Sequence, residues 1–418
     1  MTAVDATPTS LDTWLEQHGE GLIALRRNMH AHPELSGQEH STTELVEERL
    51  RLADLAPRRL AVGTGLVCDL RPASSSGSGR PIALRADLDA LAMADDKQVS
   101  YASQNAGVSH ACGHDVHTTV VLGAGLYFAH HLDELPGPVR LVFQPAEERV
   151  PGGALDAIAD GAIADVDAIV GLHCEPKLDV GSLGLKAGAI SSAADMAVIT
   201  LTGPGGHTAR PELTVDLVAL ASRLVAELPA NVAERLDDPT EVKIVFGSVH
   251  AGDAANVIPT HGVLKASIRT PSVAVWEDLP RLVSDEIDRI VAGSGAVADV
   301  DYTHGVPPVV NDATVTERVR AAAAGVADAV LTVDQSWGGD DFAWFTRQVP
   351  GTYVRLGVRT PGGPSLDLHA GHCDVGGRAG GGGGRLRVGA GAGGGAGGRG
   401  RVGGGGGGGG GAGGGGGG

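Results

Sequence analysis

The sequence predicts an α/β fold: a mixed, mostly parallel sheet with helices on both faces, interrupted by a smaller βαββαβ unit. Three observations carry this. Short apolar runs alternate with helical patterns through residues 1–185. Residues 187–303 read instead as strand, helix, strand, strand, helix, strand. The chain then closes on glycine: of 66 glycines in 418 residues, 30 fall within 376–418, which leaves an ordinary density before them.

The elements follow in order. Leu11, Trp14, Leu15, Leu22, Leu25 and Met29 share one side of a helix. Residues 64–70, 81–87, 139–144 and 167–173 are apolar runs of buried-strand type, and 115–132 reads as a helix between them. Strands that alternate with helices imply parallel pairing with both faces covered. Three of the runs end in polar residues, at Asp87, at 144–148 and at His173. Ligands of open α/β sheets bind at the carboxyl ends of strands, so these residues are expected to converge. In the middle segment, 194–202, 241–249, 262–269 and 296–302 read as strands. Leu213, Leu217, Leu220, Leu224 and Leu228 mark one helix; Trp276, Leu279, Val283, Ile287 and Ile290 mark another. This order is ferredoxin-like, and it suggests a small domain (187–303) inserted into a larger one (1–186 and 304–375). Helix and strand character resume at 313–329 and 352–357. Residues 376–418 have no Gly-X-Y period, which excludes collagen. They cannot bury enough apolar surface to offset chain entropy and read as a disordered tail.

With 32 Lys and Arg against 50 Asp and Glu, the formal charge is −18, which argues against nucleic acid or anionic lipid as partners. Four cysteines, Cys68, Cys112, Cys174 and Cys373, are too few for a disulfide scaffold. Residues 1–11 lack the basic and apolar regions of a secretory signal, and no apolar run approaches the roughly 18 residues of a membrane span. The expected location is the cytoplasm, where thiols stay reduced.

The densest chemistry lies in His110-Ala-Cys112-Gly-His114-Asp115-Val-His117. Thiolate, imidazole and carboxylate this close together suit a borderline-soft divalent ion. Gly113 lets the chain turn so that Cys112 and His114 face one centre, and the helix that follows would favour an ionised Cys112. The plainer alternative is a capped helix start with surface histidines. Glu147 and Glu148 follow the strand 139–144; one could hold a metal while the other handles a proton, or both could belong to a solvated acidic loop. His173 ends another strand and His369 lies near the end of the ordered chain; a lone histidine in such a place is more often a bonded core residue than a ligand. Cys112, His114, Glu148, His173 and His369 form a candidate ligand set. Five ligands exceed one four-coordinate ion, so a two-metal site is the better reading. Gly203-Pro-Gly-Gly-His207 lacks both GxGxxG and the P-loop lysine, which argues against a nucleotide site.

Taken in order, the chain resembles the aminoacylase and carboxypeptidase family of metallohydrolases (metallopeptidase family 20). The resemblance is to the branch with hippurate hydrolases, N-acetyl-diaminopimelate deacetylases and auxin-conjugate amidohydrolases. It rests on Arg26-Arg-Asn-Met-His30-Ala-His-Pro33-Glu34-Leu-Ser, Arg85-Ala-Asp87-Leu-Asp89-Ala-Leu, the Cys112 cluster, Phe143-Gln-Pro-Ala-Glu147-Glu148, Gly171-Leu-His173, Gly203–His207 and Asn256-Val-Ile-Pro259. It implies a zinc-peptidase-like domain with an inserted lid and dimerisation domain. It also implies two divalent ions per subunit, Mn²⁺ or Zn²⁺ with Co²⁺ or Ni²⁺ compatible, on the five candidate ligands. Glu147 would be the general base, His207 would stabilise the oxyanion and contact substrate with Asn256, and Asp87 would orient a ligand. The implied reaction is hydrolysis of an N-acyl amino acid or similar small conjugate by a homodimer. The alternatives are a dipeptidase or aminopeptidase of the same family, or a metal-binding pseudoenzyme. Two departures stand out: Gly339-Asp340-Asp341-Phe342 replaces the usual Ser-Glu-Asp-Phe, and Cys373-Asp374-Val-Gly376-Gly377 replaces the start of a closing helix.

Overall fold

The structure, a computed structural model, describes residues 10–73, 79–365 and 367–371. The expectation for the 376–418 tail, and Cys373, lie outside the described residues. An eight-stranded sheet runs in the order Arg58–Arg59, Leu66–Leu70, Val139–Gln144, Ile82–Asp87, Ala168–Asp179, Gly351–Arg359, Ser182–Leu185, Ala329–Thr332. Its four central strands, from Val139–Gln144 to Gly351–Arg359, are mutually parallel, and antiparallel pairs flank them. Val139, Leu141, Val142 and Phe143 are all buried, odd and even positions alike. That is the signature of a strand covered on both faces. Leu25 and Met29 of the helix Leu11–Ala31 pack with Val121, Leu122 and Phe128 of the helix His114–His130. Another cluster gathers Ala154, Ala157, Ile169, Phe342, Phe345 and Tyr353. The helix His40–Leu52, which buries Val46 and Leu50, was not legible in the apolar spacing because two of its four buried residues are Thr42 and Thr43.

A four-stranded antiparallel sheet lies within residues 193–306, in the order Lys243–Ala251, His261–Thr270, Ala193–Thr202, Val297–Val306. The helices Leu217–Ala233 and Val273–Val291 pack on it through Leu220, Leu224, Leu228, Leu279, Val283 and Ile287. The strand order and connections are those of the ferredoxin-like arrangement. Leu213 departs from the expected helix. It is 67% exposed in the short turn Pro211–Leu213, because the Asp216 carboxylate accepts the Ala219 N–H and caps a helix that starts only at Leu217. The helix expected over 313–329 ends at Ala323, and Ala329–Thr332 pairs in parallel with Ser182–Leu185 as an edge strand. Among the described residues, no helix is long and apolar enough to cross a membrane.

One ion pair ties the large sheet together. Arg140 donates from Nε and Nη2 to both oxygens of Asp69 on the adjacent strand, at 2.6 and 2.9 Å. Burial opposes ionisation of Asp69, but Arg140 and then Arg71 outweigh it and hold its pKa below the usual value. A carboxylate depressed in the folded state contributes stability above its unfolded pKa of about 3.9, and loses it as pH falls through the folded value. With Asp69 about one-third exposed, Asp69→Asn is expected to cost about 1 kcal/mol at pH 7 after solvent screening. Urea unfolding should show the gap between mutant and parent narrowing below about pH 4. A gap that is constant with pH would show that the ion pair is not its source.

Candidate metal centre

Four chain segments meet at the carboxyl edge of the central strands. The first is the turn into the helix His114–His130. Gly113 takes a left-handed φ of 86°, a conformation that glycine adopts at no steric cost, and this sets Cys112 and His114 on either side of the turn. The second is the 145–148 loop after Val139–Gln144. The third is His173 within Ala168–Asp179. The fourth is the 367–371 segment, where the His369 N–H donates to the Ala111 carbonyl at 3.1 Å.

These segments bring the five candidate ligands into overlapping groups. Ligand atoms of Cys112, His114 and His173 lie within 4.8 Å of one another, as do those of Cys112, Glu148 and His369. Cys112 Sγ is 3.4 Å from His173 Nε2, His114 Nε2 is 3.8 Å from Glu148 Oε1, and His369 Nε2 is 3.5 Å from the same oxygen. Glu147 Oε2 lies 3.9 Å from His114 Nε2. Both ligand imidazoles are oriented from behind. His114 Nδ1–H donates to the Asp89 carbonyl at 2.8 Å and His173 Nδ1–H to the Cys174 carbonyl at 2.7 Å, so each turns its Nε2 to the centre.

The fit to a cation can be tested on atoms left without partners. His114 Nε2 and Glu148 Oε1 are buried and make no hydrogen bond. Buried polar atoms are nearly always satisfied, and an ion between these two would satisfy both. Thiolate, imidazole and carboxylate together are the donor set of a borderline divalent metal. The residues present fit.

The profile of Peptidase family M20/M25/M40 matches residues 83–376. The chain belongs to this family. It is 43% identical over 372 residues to a Rhodococcus jostii protein named glutamate–cysteine ligase 2-3; the match covers 87% of this chain but 46% of that protein, so this chain spans less than half its length. It is 34% identical over 354 residues to the N-acetyl-L-cysteine deacetylase of Bacillus subtilis, with 85% of this chain and 83% of the relative covered. Among solved structures, a dinuclear metal-binding peptidase of the M20 family from Bacillus subtilis superposes with a TM-score of 0.73 at 30% identity, covering 85% of this chain and 92% of the other.

Electrostatics sharpen the picture of this M20-family centre. Burial, then Asp340, Glu148, Asp341 and Asp89, push Glu147 well above the usual carboxylate range. Burial, then Glu148 and Glu147, push the Cys112 thiol well up. Burial alone would lower His114, but Asp87, Asp89 and Glu148 overcome it and raise it to about 10. Burial, then His117 and Arg355, hold His173 well below its usual value, as a neutral imidazole. Negative charge is in excess, and His114 is drawn to take up a proton in response. A divalent cation would relieve the same excess and favour the thiolate.

The other sequence candidates fall into two groups. Asp87 accepts from His117 Nδ1 at 2.7 Å and from Arg85 Nη1 at 2.6 Å; its nearest approach to a candidate ligand is 3.9 Å, to His114 Nε2. His117 also accepts the Cys174 N–H at Nε2, which makes it a satisfied core histidine. His207 and Asn256 lie side by side on the ribbon formed by Gly206–His207 and Val257–Ile258, where the Thr208 N–H donates to the Asn256 carbonyl at 3.2 Å. Both are exposed, and among the described residues no hydrogen bond or ion pair links either to the metal centre.

Four residues at the site escaped the sequence reading. Asp89 accepts the N–H groups of both Glu147 and Glu148 at 3.0 Å, and Glu39 accepts that of Ala146 at 2.8 Å. Together they hold a loop in which Ala146 takes a positive φ of 54°. Asp340 and Asp341 place carboxylate oxygens within 4.8 Å of one from Glu147. Asp89 stood in a quoted motif; Glu39 carried no signal, since its role depends on a contact 107 residues away.

Proposed function

We propose that the chain is a metal-dependent amidohydrolase that cleaves the amide bond of N-acyl amino acids or similar small conjugates. The observation that carries this reading is Glu147, whose carboxylate lies with the ligand atoms of His114 and Glu148, 3.9 Å from His114 Nε2, yet outside both groups that contain Cys112. A carboxylate there is close enough to share the site without being needed as a ligand. Cys112, His114, Glu148, His173 and His369 would hold two divalent ions, Mn²⁺ or Zn²⁺ with Co²⁺ or Ni²⁺ compatible with the mixed donor set. Bound at these residues, the ions supply Lewis acidity that polarises the amide carbonyl and makes water a better nucleophile.

The protein's own residues do the rest. Glu147, with its raised proton affinity, takes a proton from the attacking water and returns it to the leaving amine. Asp89 fixes the backbone of Glu147 and Glu148 by accepting both of their N–H groups. Asp87 acts at one remove, fixing His117 and Arg85 behind the centre. His207 stabilises charge on the carbonyl oxygen and, with Asn256, contacts substrate. For that they must reach the site from the 187–303 domain, in this subunit or a partner, which acts as lid and dimerisation module while 1–186 and 304–375 form the catalytic domain. The edge strand Lys243–Ala251, with Val245 and Val249 exposed, supports pairing of two copies. Cys68, Cys112 and Cys174 are buried and form no disulfide among the described residues, which suits the cytoplasm.

The test is metal analysis of the purified protein together with hydrolysis of a panel of N-acyl amino acids and dipeptides. Two equivalents of metal and turnover of the acyl amino acids are expected; a metal-free, inactive protein would refute the assignment. Sedimentation is expected to give a dimer, and a fully active monomer would remove the dimerisation role of 187–303.

A further inference from the structure

Four cationic side chains are buried among the described residues: Arg26, Arg85, Lys97 and Arg355. Three of them have carboxylate partners. Arg26 meets Asp115 at 2.6 Å, Lys97 meets Asp95 at 2.9 Å, and Arg85 is saturated by Asp87, Asp341 and Gln144. Arg355 is 8% exposed, and no carboxylate among the described residues lies within 4.0 Å of its guanidinium. Among the described residues its one side-chain hydrogen bond is from Nη2 to Ser336 Oγ at 3.0 Å. A buried charge is normally paired, because burial removes its hydration. The missing partner therefore needs an explanation.

The position of Arg355 supplies one. On the parallel strands Gly351–Arg359 and Ala168–Asp179, Arg355 is the register partner of His173. Its guanidinium carbon lies 5.3 Å from the ring centre of Tyr353. That ring is 6.0 Å from the His173 ring, and the Tyr353 hydroxyl donates to Asp340. Asp340 in turn sits within 4.8 Å of Glu147 at their carboxylate oxygens. Arg355 thus stands on the rim of the catalytic centre. A planar guanidinium with free N–H groups at such a rim matches a carboxylate in two-point fashion.

We propose that Arg355 recognises the free carboxylate of the amino-acid half of the substrate and so restricts the enzyme to anionic amides. This rests on the amidohydrolase reading above. Arg355 is a binding residue: it holds the substrate so that the scissile carbonyl faces Glu147, and it takes no part in proton transfer.

The experiment compares an N-acetyl amino acid with its α-carboxamide, which replaces one carboxylate oxygen by NH2 and so removes the charge with little change of shape. The metal-loaded parent is expected to favour the acid. Arg355→Gln is expected to lower kcat/KM for the acid about 10–100-fold, mostly through KM, and to change the carboxamide little. Arg355→Lys, which keeps the charge but not the fork, should retain part of the preference. Thermal midpoint and metal content are measured for each variant, and binding of the product amino acid by calorimetry gives a readout independent of turnover. Equal losses on both substrates, or unchanged binding of the amino acid by Arg355→Gln, would overturn the proposal and leave Arg355 as a charge that balances the acidic centre. If the parent hydrolyses neither compound but binds the amino acid through Arg355, the amidohydrolase reading fails and the anchor stands. Arg269, half-buried and bonded among the described residues to Ser267 Oγ and the Trp337 carbonyl, is the control. If Arg269→Gln removes the acid preference and Arg355→Gln does not, the carboxylate is held by the small sheet and the proposal falls.

Discussion

Glu147→Gln is expected to keep its metal and lose about 10²–10⁴-fold in kcat, the range of a general base. The amide is close to isosteric, so the loop that Asp89 and Glu39 hold by three backbone N–H groups should keep its shape. What is lost is the ability to accept a proton. Burial and four neighbouring carboxylates already raise the proton affinity of Glu147 well above that of an ordinary glutamate. A metal bound nearby lowers it again, toward the range in which a base can work near neutral pH. Glu148→Gln should behave differently. Glu148 Oε1 lies between His114 and His369, at 3.8 and 3.5 Å, and has no hydrogen-bond donor of its own. Its replacement should lower metal content first and activity in consequence. Metal content by mass spectrometry beside kcat separates the two. If Glu147→Gln loses metal and Glu148→Gln keeps it, the roles of the adjacent carboxylates are reversed.

Much of this site was legible because its residues announce themselves locally. Cys112 and His114 flank one glycine, and the turn that this spacing requires is the turn that forms. Asp87, Glu147, Glu148 and His173 follow apolar runs, and parallel strands bring their carboxyl ends to one edge whatever the loops between them do. The strands were readable for the same reason: buried on both faces, they are mostly apolar, with Asp69, Arg85 and Arg140 as charged exceptions. Legibility ended where a role depends on distant partners. Glu39 carries no mark in the sequence, yet it is fully buried and accepts the Ala146 N–H of the 145–148 loop. Asp341 reads only as the retained acid of an altered motif, yet it is the hub at which Arg85, Gln144 and the Ala154 N–H meet. Leu213 misled because a leucine spacing of four is indifferent to where a helix begins. The Asp216 cap sets that boundary, and a cap is a polar signal that apolar periodicity does not register.

Cys112→Ala is expected to cost more metal than His173→Ala, and this asymmetry tests the arrangement of the centre. Cys112 belongs to both ligand groups, one with His114 and His173, the other with Glu148 and His369. Removing its sulfur takes a ligand from each ion. Removing the His173 imidazole takes one from the first group alone. Changes to residues that merely orient a ligand typically cost about 10–100-fold in affinity, and loss of a ligand should exceed that. Cys112→Ala should therefore bind neither ion at micromolar metal, while His173→Ala should keep the ion held by Cys112, Glu148 and His369. Neither variant should turn over substrate, since each would lack a ligand of the centre that would supply the Lewis acidity. Cys112 is 6% exposed and alanine leaves only a small gap, so the fold should survive for the measurement. Dialysis of both variants against a fixed metal concentration, with ions per chain counted afterwards, reads the difference directly. Equal stoichiometry in the two variants would mean that Cys112 serves a single ion, and full occupancy in either would remove that residue from the centre.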